Sequence, residues 1–244
     1  MPLEECVEKT RSTILSAFFE YLEQTEMTYC VVGRTDILPG EIVGDVDIVI
    51  DAKSSHDFHQ FIFEFSRVNR LKLVQVLKHE QSANYFVLAW MGSDGKPKFL
   101  HPDVCTDYIR NGRIFLTADE VLSGRAPALD AAGKWKGFYV VAPAREFIYY
   151  LLKKIDKQAL DNDQGKHLST LWAKAPVDCN TEIGRFWSND NAELLRKASR
   201  ENEWEYVRQK LPALQRSLQA KLIPNTFDST SREYFRPLLK DTAS

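Results

Sequence analysis

The sequence has little cysteine and no paired cysteines. Its 244 residues include four cysteines (Cys6, Cys30, Cys105 and Cys179), which lie far apart and form no CxxC pair. A zinc ribbon requires such pairs, so that class is excluded, and a disulfide framework requires closely spaced cysteines in a short chain. We therefore expect a protein of the reducing cytoplasm.

The sequence also lacks long hydrophobic runs and an excess of either charge. No run approaches the roughly 18 apolar residues of a membrane span, and the first nine residues carry three glutamates instead of a signal-peptide core. The 32 basic and 34 acidic residues give a net charge of −2. Because long nucleic acid attracts basic proteins, we do not expect it as a partner, and no membrane association is predicted.

The hydrophobic pattern changes character near Ala142. Before this point, helical spacing at 3–22 and 55–68 alternates with strand-like runs, and after it Pro143 begins a helix predicted to run to Leu160. We predict an α/β fold of the α+β type, with a mixed-sheet domain at 1–142 and a helical domain at 143–244. Strands are expected at 27–32, 45–50, 71–77, 85–91, 98–108, 113–116 and 138–141, with a hairpin at 92–95 and helix breaks at Pro176, Asn189 and Pro224.

Two carboxylates stand out on the second predicted strand. Asp45 and Asp47 are two residues apart, so they project from one face while Val46 and Ile48 point into the core. Two acids on one face of an apolar strand require a compensating cation. Mg²⁺ prefers such hard oxygen ligands, and Mn²⁺ accepts the same set, although Asp-x-Asp also occurs in ordinary solvated turns.

The stretch around this pair resembles the signature of the DNA polymerase β-like nucleotidyltransferases. Gly33 follows a hydrophobic strand, and a loop then leads to Asp45-Val46-Asp47 within another such strand. The resemblance implies that backbone amides at the Gly33 turn approach a nucleoside triphosphate, with Arg34 and Thr35 as further nucleotide contacts. Arg34 departs from the small residue usual in the family, and it could bind phosphate, block the pocket or lie in solvent.

The resemblance further implies a third carboxylate on a later strand. In the run 98–108, His101, Asp103, Cys105 and Asp107 are predicted to share one face. We predict that Asp103 has this role, as a metal ligand that assists the attacking hydroxyl, and Asp107 is the alternative candidate. His101 could contact phosphate or metal, or pack as an ordinary side chain.

The helix that begins at Pro143 supplies candidate phosphate contacts. Phe147, Leu151 and Ile155 form a core stripe, and the resemblance implies that Lys154 and Lys157 reach the phosphates, although charged helix faces are often merely solvated. The predicted activity is a Mg²⁺-dependent transfer of a nucleotidyl group from an NTP, with ATP among the candidates, to an acceptor hydroxyl or phosphate.

The principal alternative is a binding module of the same fold without activity, and a metal-dependent phosphohydrolase is a third. The acceptor and the oligomeric state are not encoded in any motif. A sugar phosphate, an antibiotic, a protein side chain or an RNA end would all fit the site, and a small molecule is the expectation.

Overall fold

The computed structural model describes residues 8–33, 35–54, 57–80 and 82–222. These residues form a mixed α/β fold in which a twisted sheet is followed by a helical region, so the predicted fold class is confirmed. The helices are α1 (Arg11–Glu23), α2 (Phe58–Val68), α3 (Ala118–Leu122), α4 (Pro143–Asp156), α5 (Asn162–Lys174), α6 (Pro176–Phe186), α7 (Asn189–Glu201) and α8 (Glu205–Lys221). The strands are β1 (Tyr29–Val31), β2 (Val46–Ile50), β3 (Lys72–Glu80), β4 (Ala83–Met91), β5 (Pro97–Leu100), β6 (Pro102–Cys105), β7 (Tyr108–Arg110), β8 (Arg113–Leu116), β9 (Ala126–Leu129) and β10 (Trp135–Val140).

The main sheet has the strand order β3-β4-β6-β2-β1-β10-β9, with β5 also paired to β4. Strand β2 runs parallel to β6 and β1 runs parallel to β10, whereas the other neighbours are antiparallel. Strands β7 and β8 form a separate ribbon. The parallel β2–β6 pair lies in the middle of the sheet, and this position brings together residues that are distant in sequence.

Helices cover the two faces of the sheet differently. On one face, α1 and α2 bury an aromatic cluster in which Phe18 meets Phe61 and Phe65 edge-on, with ring centroids 5.6 and 5.2 Å apart. On the other face, α4 packs over the centre of the sheet and continues into the core of the helical region. The predicted stripe of Phe147, Leu151 and Ile155 is fully buried there, so the helical region shares one core with the sheet.

The prediction of one strand over 98–108 was wrong. The strand is interrupted at His101, because β5 ends at Leu100 and β6 begins at Pro102, a residue without an N–H to donate. The chain then leaves the sheet after Cys105 and turns into β7. Consequently Asp107 does not continue the face that carries Asp103.

Element boundaries differ at other points as well. The first helix begins at Arg11, where Thr10 and Thr13 form a capping box, and residues 3–7 of the predicted helix lie outside the described residues. The helix that starts at Pro143 ends at Asp156, and α3 and β9 were not predicted. Helices α6 and α7 start at Pro176 and Asn189 as expected, whereas Pro224 lies outside the described residues. None of the helices described here is both long and apolar enough to cross a bilayer.

Candidate active site

Two aspartates lie side by side in the centre of the sheet. Asp47 on β2 and Asp103 on β6 are direct partners in the parallel register, flanked by the pairs Val46–Pro102 and Ile48–Val104. Partners on adjacent strands project to the same face at the strand spacing of about 4.8 Å. Ile48 and Val104 are buried on the opposite face. The register therefore creates a pair of neighbouring carboxylates that are partly exposed.

Asp45 lies one residue before β2 and belongs to the same cluster. The hydroxyl of Tyr85 donates a hydrogen bond of 2.9 Å to Asp45 Oδ1, and His101 Nδ1 lies 3.7 Å from the same oxygen. Tyr85 is itself the register partner of Asp103 across β4 and β6. Desolvation and the Asp45 carboxylate together raise the pKa of Tyr85 to about 12, so its phenol remains a donor at neutral pH.

Gly33 lies two residues after the end of β1, in a turn beside Asp47. Its φ angle is +92°, a conformation that side chains rarely adopt, and a Cβ at this position would lie 3.8 Å from Asp47 Oδ2. A cavity of about 160 Å³ opens here. Gly33, Asp45 and Asp47 form its polar side, and the remaining lining is mostly apolar and comprises Val31, Val32, Ile37, Leu38, Ile42, Val43, Val46 and Tyr150.

Lys153 of α4 contacts the carboxylate pair, and sequence reasoning did not select it. Its Nζ atom lies 3.1 Å from Asp47 Oδ1, and its side chain is 22 % exposed. Burial alone would lower the pKa of Lys153, but Asp47 and Asp103 outweigh burial and raise it, so the ammonium stays charged. The spacing of four from the buried Tyr149 is the one sequence signal that puts Lys153 on the sheet-facing side.

The two lysines that the sequence suggested occupy different surroundings. Lys154 Nζ lies 4.8 Å from the ring centre of Tyr150, and desolvation together with Lys153 and Lys157 lowers its pKa. Lys157 is exposed and lines a second cavity of about 140 Å³ beside Asp47 and Asp103. Their contact with a nucleotide stays a prediction.

The second cavity also contains a cysteine and an arginine. Burial raises the pKa of the Cys105 thiol, and the neighbouring carboxylates raise it further, so this thiol is not a reactive nucleophile. Arg110 lines the same cavity and forms an ion pair of 3.2 Å with Asp156. The cavity therefore combines the carboxylate pair with three cationic side chains.

Thr35 and Asp107, which were also predicted, have hydrogen-bond partners outside the aspartate pair. The carbonyl of Thr35 accepts a 3.0 Å hydrogen bond from Lys136, which anchors the loop after Gly33. Arg34 lies outside the described residues. Asp107 accepts a 2.7 Å hydrogen bond from the Ala118 amide at the start of α3, so it does not occupy the place of the third acid.

The three acids fit a magnesium ion by donor chemistry, since each offers hard carboxylate oxygens. Over the described ranges, no group of three His, Cys, Asp or Glu side chains converges as a ready-made metal centre. The contacts explain why, because Asp45 is held by Tyr85 and Asp47 by Lys153. The positive charge of the Lys153 ammonium lies beside Asp47, so it already offsets part of the negative charge that would attract a metal cation.

Comparisons with known proteins give matches only among solved structures. No protein-family model matches the chain, and no curated protein does. A protein of H. pylori that is provisionally named a nucleotidyltransferase aligns over 86 % of this chain and 95 % of its own, with 12 % identity and a TM-score of 0.36.

Two CCA-adding enzymes are also similar, each with 14 % identity. The enzyme of Thermotoga maritima bound to tRNA has a TM-score of 0.30, and one bound to CTP has a TM-score of 0.27. This chain covers 53 % and 57 % of their lengths. Because these TM-scores describe a loose superposition, the function must be inferred from this chain's own side chains.

Proposed function

We propose that the protein is a metal-dependent nucleotidyltransferase that moves a nucleoside monophosphate from an NTP to an acceptor. The observation that supports this most directly is the register of Asp47 with Asp103, beside the open turn at Gly33. Paired carboxylates next to a turn without side chain are suited to a triphosphate and its divalent cation. Asp45, Asp47 and Asp103 would hold Mg²⁺ or Mn²⁺, which when bound neutralises charge on the reacting phosphate.

Different residues around the Asp47–Asp103 pair would bind the triphosphate and the nucleoside of the NTP. The triphosphate would lie along Gly33, since that turn exposes backbone beside Asp47, and Thr35 and Arg34 follow in the same loop. The nucleoside would enter the cavity with apolar walls that includes Tyr150. Lys153, which now contacts Asp47, would bind phosphate oxygens together with Lys154 and Lys157.

The acceptor would approach from the Asp103 side. Its hydroxyl oxygen forms a bond to the α-phosphorus while the bond from that phosphorus to the bridging oxygen breaks, and pyrophosphate leaves. The hydroxyl proton passes to Asp103 or to water. Positioning and charge neutralisation supply most of the rate enhancement in phosphoryl chemistry of this kind.

The test is transfer of label from each of the four α-³²P NTPs, with pyrophosphate release measured in parallel. We expect the wild-type chain to release pyrophosphate with Mg²⁺, and Asp47→Asn and Asp103→Asn to lower kcat at least 100-fold. Asp178→Asn, an exposed acid in the first turn of α6, is the matched control and should keep full activity. Full activity of Asp47→Asn would refute the proposal.

The ion pair between Lys153 and Asp47 also supports a second candidate, a nucleotide-binding module without catalysis. A carboxylate that its own chain neutralises has less need of a metal. Tight NTP binding that is independent of Mg²⁺, with no pyrophosphate released from any of the four NTPs, would favour this alternative.

A further inference from the structure

Strand β10 carries a bulge between Trp135 and Tyr139, where its register with β9 shifts. Gly137 lies within this bulge and has a φ of +91°, a conformation that other residues rarely adopt. A bulge departs from the regular ladder and changes the direction of the side chains in it. Lys136 is half-buried in the bulge, so its direction is not set by the alternation of a regular strand.

The ammonium of Lys136 donates hydrogen bonds to two consecutive carbonyls in the loop after Gly33. Its Nζ atom lies 3.0 Å from the Thr35 oxygen and 2.8 Å from the Asp36 oxygen. For the described residues 35–44, these two are the hydrogen bonds that join the loop to another strand or helix. Hydrogen bonds from a charged donor are stronger than those between neutral groups. Lys136 therefore fastens the start of this loop to β10.

The loop that Lys136 fastens lies against the candidate NTP cavity. Leu38 and Ile42 line that cavity and also pack against the core beneath α1 and α2, so apolar contacts hold the middle of the loop. The start of the loop, which follows the Gly33 turn, is held by the two bonds from Lys136. Loss of these bonds would release the segment that sets the position of the Gly33 backbone beside Asp47.

We propose that Lys136 is a positioning residue for the NTP, because it holds the start of the loop so that the Gly33 backbone stays open to the triphosphate. This inference rests on the proposed function and adds a residue that acts on the substrate through the loop. A loop that is ordered before the ligand arrives loses less conformational entropy on binding. The effect of Lys136 should therefore appear in the affinity for NTP and not in the chemical step.

Affinity can be measured by isothermal titration of the full chain, in the presence of Mg²⁺, with the α,β-methylene analogues of the four NTPs. These analogues cannot transfer their nucleotidyl group, so the titration reports binding alone. Lys136→Met keeps the stem of the side chain and removes the donor, and we expect the Kd of the tightest analogue to rise about tenfold. Lys134→Met, at an exposed lysine two residues earlier, is the matched control and should bind as wild type.

Two further measurements separate positioning of the loop from a general loss of structure. Lys136→Arg restores a charged donor and should bring the Kd back to within about threefold of wild type, whereas Lys136→Gln, with an uncharged donor, should lie between arginine and methionine. Amide hydrogen exchange in Lys136→Met should become faster at residues 35–44 and stay unchanged in α4 and β2. If Lys136→Met does not fold, the comparison of Lys136→Gln with Lys136→Arg carries the same test.

The outcomes distinguish this inference from the proposed function. An unchanged Kd in Lys136→Met would overturn the inference, as would faster exchange throughout the chain or an arginine variant that binds no better than the methionine variant. If pyrophosphate is released but the KM for NTP does not respond to Lys136→Met, the function stands and the role of Lys136 is wrong. If analogue binding depends on Lys136 but no NTP releases pyrophosphate, the positioning role stands and the proposed catalysis fails. If no analogue binds to the wild-type chain, both fail.

Discussion

Lys153 of α4 and Asp47 of β2 form an ion pair of 3.1 Å across 106 residues of sequence. The pair joins the helical region to the central strand at the point where the candidate active site lies. The sequence predicts that the neighbouring acids need a compensating cation, and in the structure the ammonium of Lys153 supplies part of that positive charge.

Replacing Asp47 by asparagine should lower the stability of the metal-free protein. From the sequence alone, the change would relieve repulsion between acids, but in the structure it leaves a largely buried ammonium without its charged partner. We expect a loss of about 1–2 kcal/mol in the free energy of unfolding. Urea denaturation of the two proteins in EDTA measures this loss, and equal or higher stability of Asp47→Asn would contradict it.

Replacing Lys153 by methionine should strengthen metal binding to the nucleotide-free protein. The variant keeps an apolar stem but removes the positive charge next to Asp47, so the carboxylates attract a divalent cation more strongly. We expect the Kd for Mn²⁺ to fall about tenfold by isothermal titration. Lys174→Met, at an exposed site on α5, should bind as wild type. An unchanged Kd in Lys153→Met would show that the acids do not form a common cation site.

Replacing Gly33 by alanine should impair nucleotide binding more than it impairs folding. The new Cβ would lie 3.8 Å from Asp47 Oδ2 and cover the backbone at the turn, so we expect the KM for NTP to rise at least tenfold. Gly44→Ala is a matched control. Gly44 has a similar φ of +86°, but no atom lies within 4 Å of its added Cβ.

Both glycine variants should lose about 1–2 kcal/mol of stability from backbone strain, measured by thermal denaturation. Only Gly33→Ala should change the KM. If Gly44→Ala raises the KM equally, the effect comes from the loop conformation and not from access to the backbone beside Asp47.

Asp51 should contribute stability that disappears at low pH. Burial would raise its pKa, but hydrogen bonds from Ser54, the Thr28 amide and the Lys53 amide outweigh burial and lower the pKa below 3.8. A depressed pKa in the folded state stabilises the protein above the unfolded value and ceases to do so as pH falls through the folded value. Asp51→Asn should therefore be less stable than wild type at pH 7, and the difference should shrink as the pH falls below the usual range of a carboxyl pKa, as measured by urea denaturation.

Local sequence was sufficient for part of the site. Gly33 and the Asp45–Asp47 pair lie in one short motif, and strand periodicity orients Asp47, whereas Asp45 lies one residue before β2. Asp103 could be chosen because alternation along its strand also orients it, and the register then places it beside Asp47. The roles of these residues remain predictions.

Tertiary packing decided the rest. Lys153 contacts Asp47 because of how α4 docks on the sheet, and helical periodicity within α4 does not specify which neighbour each face meets. The strand break at His101 and the turn after Cys105 depend on which strands pair with this segment, so Asp107 could not be separated from Asp103 by alternation alone.

The distance in sequence between Asp47 and Lys153 has a consequence for the order in which the molecule assembles. In a chain synthesised from its amino terminus, β2, β4 and β6 are complete before α4 exists, so the acids can meet before their lysine is available. Closing a loop of 106 residues is also among the slower steps of folding, because its entropy must be lost before the ion pair forms. We expect folding intermediates to carry an acidic surface open to stray divalent cations until α4 docks.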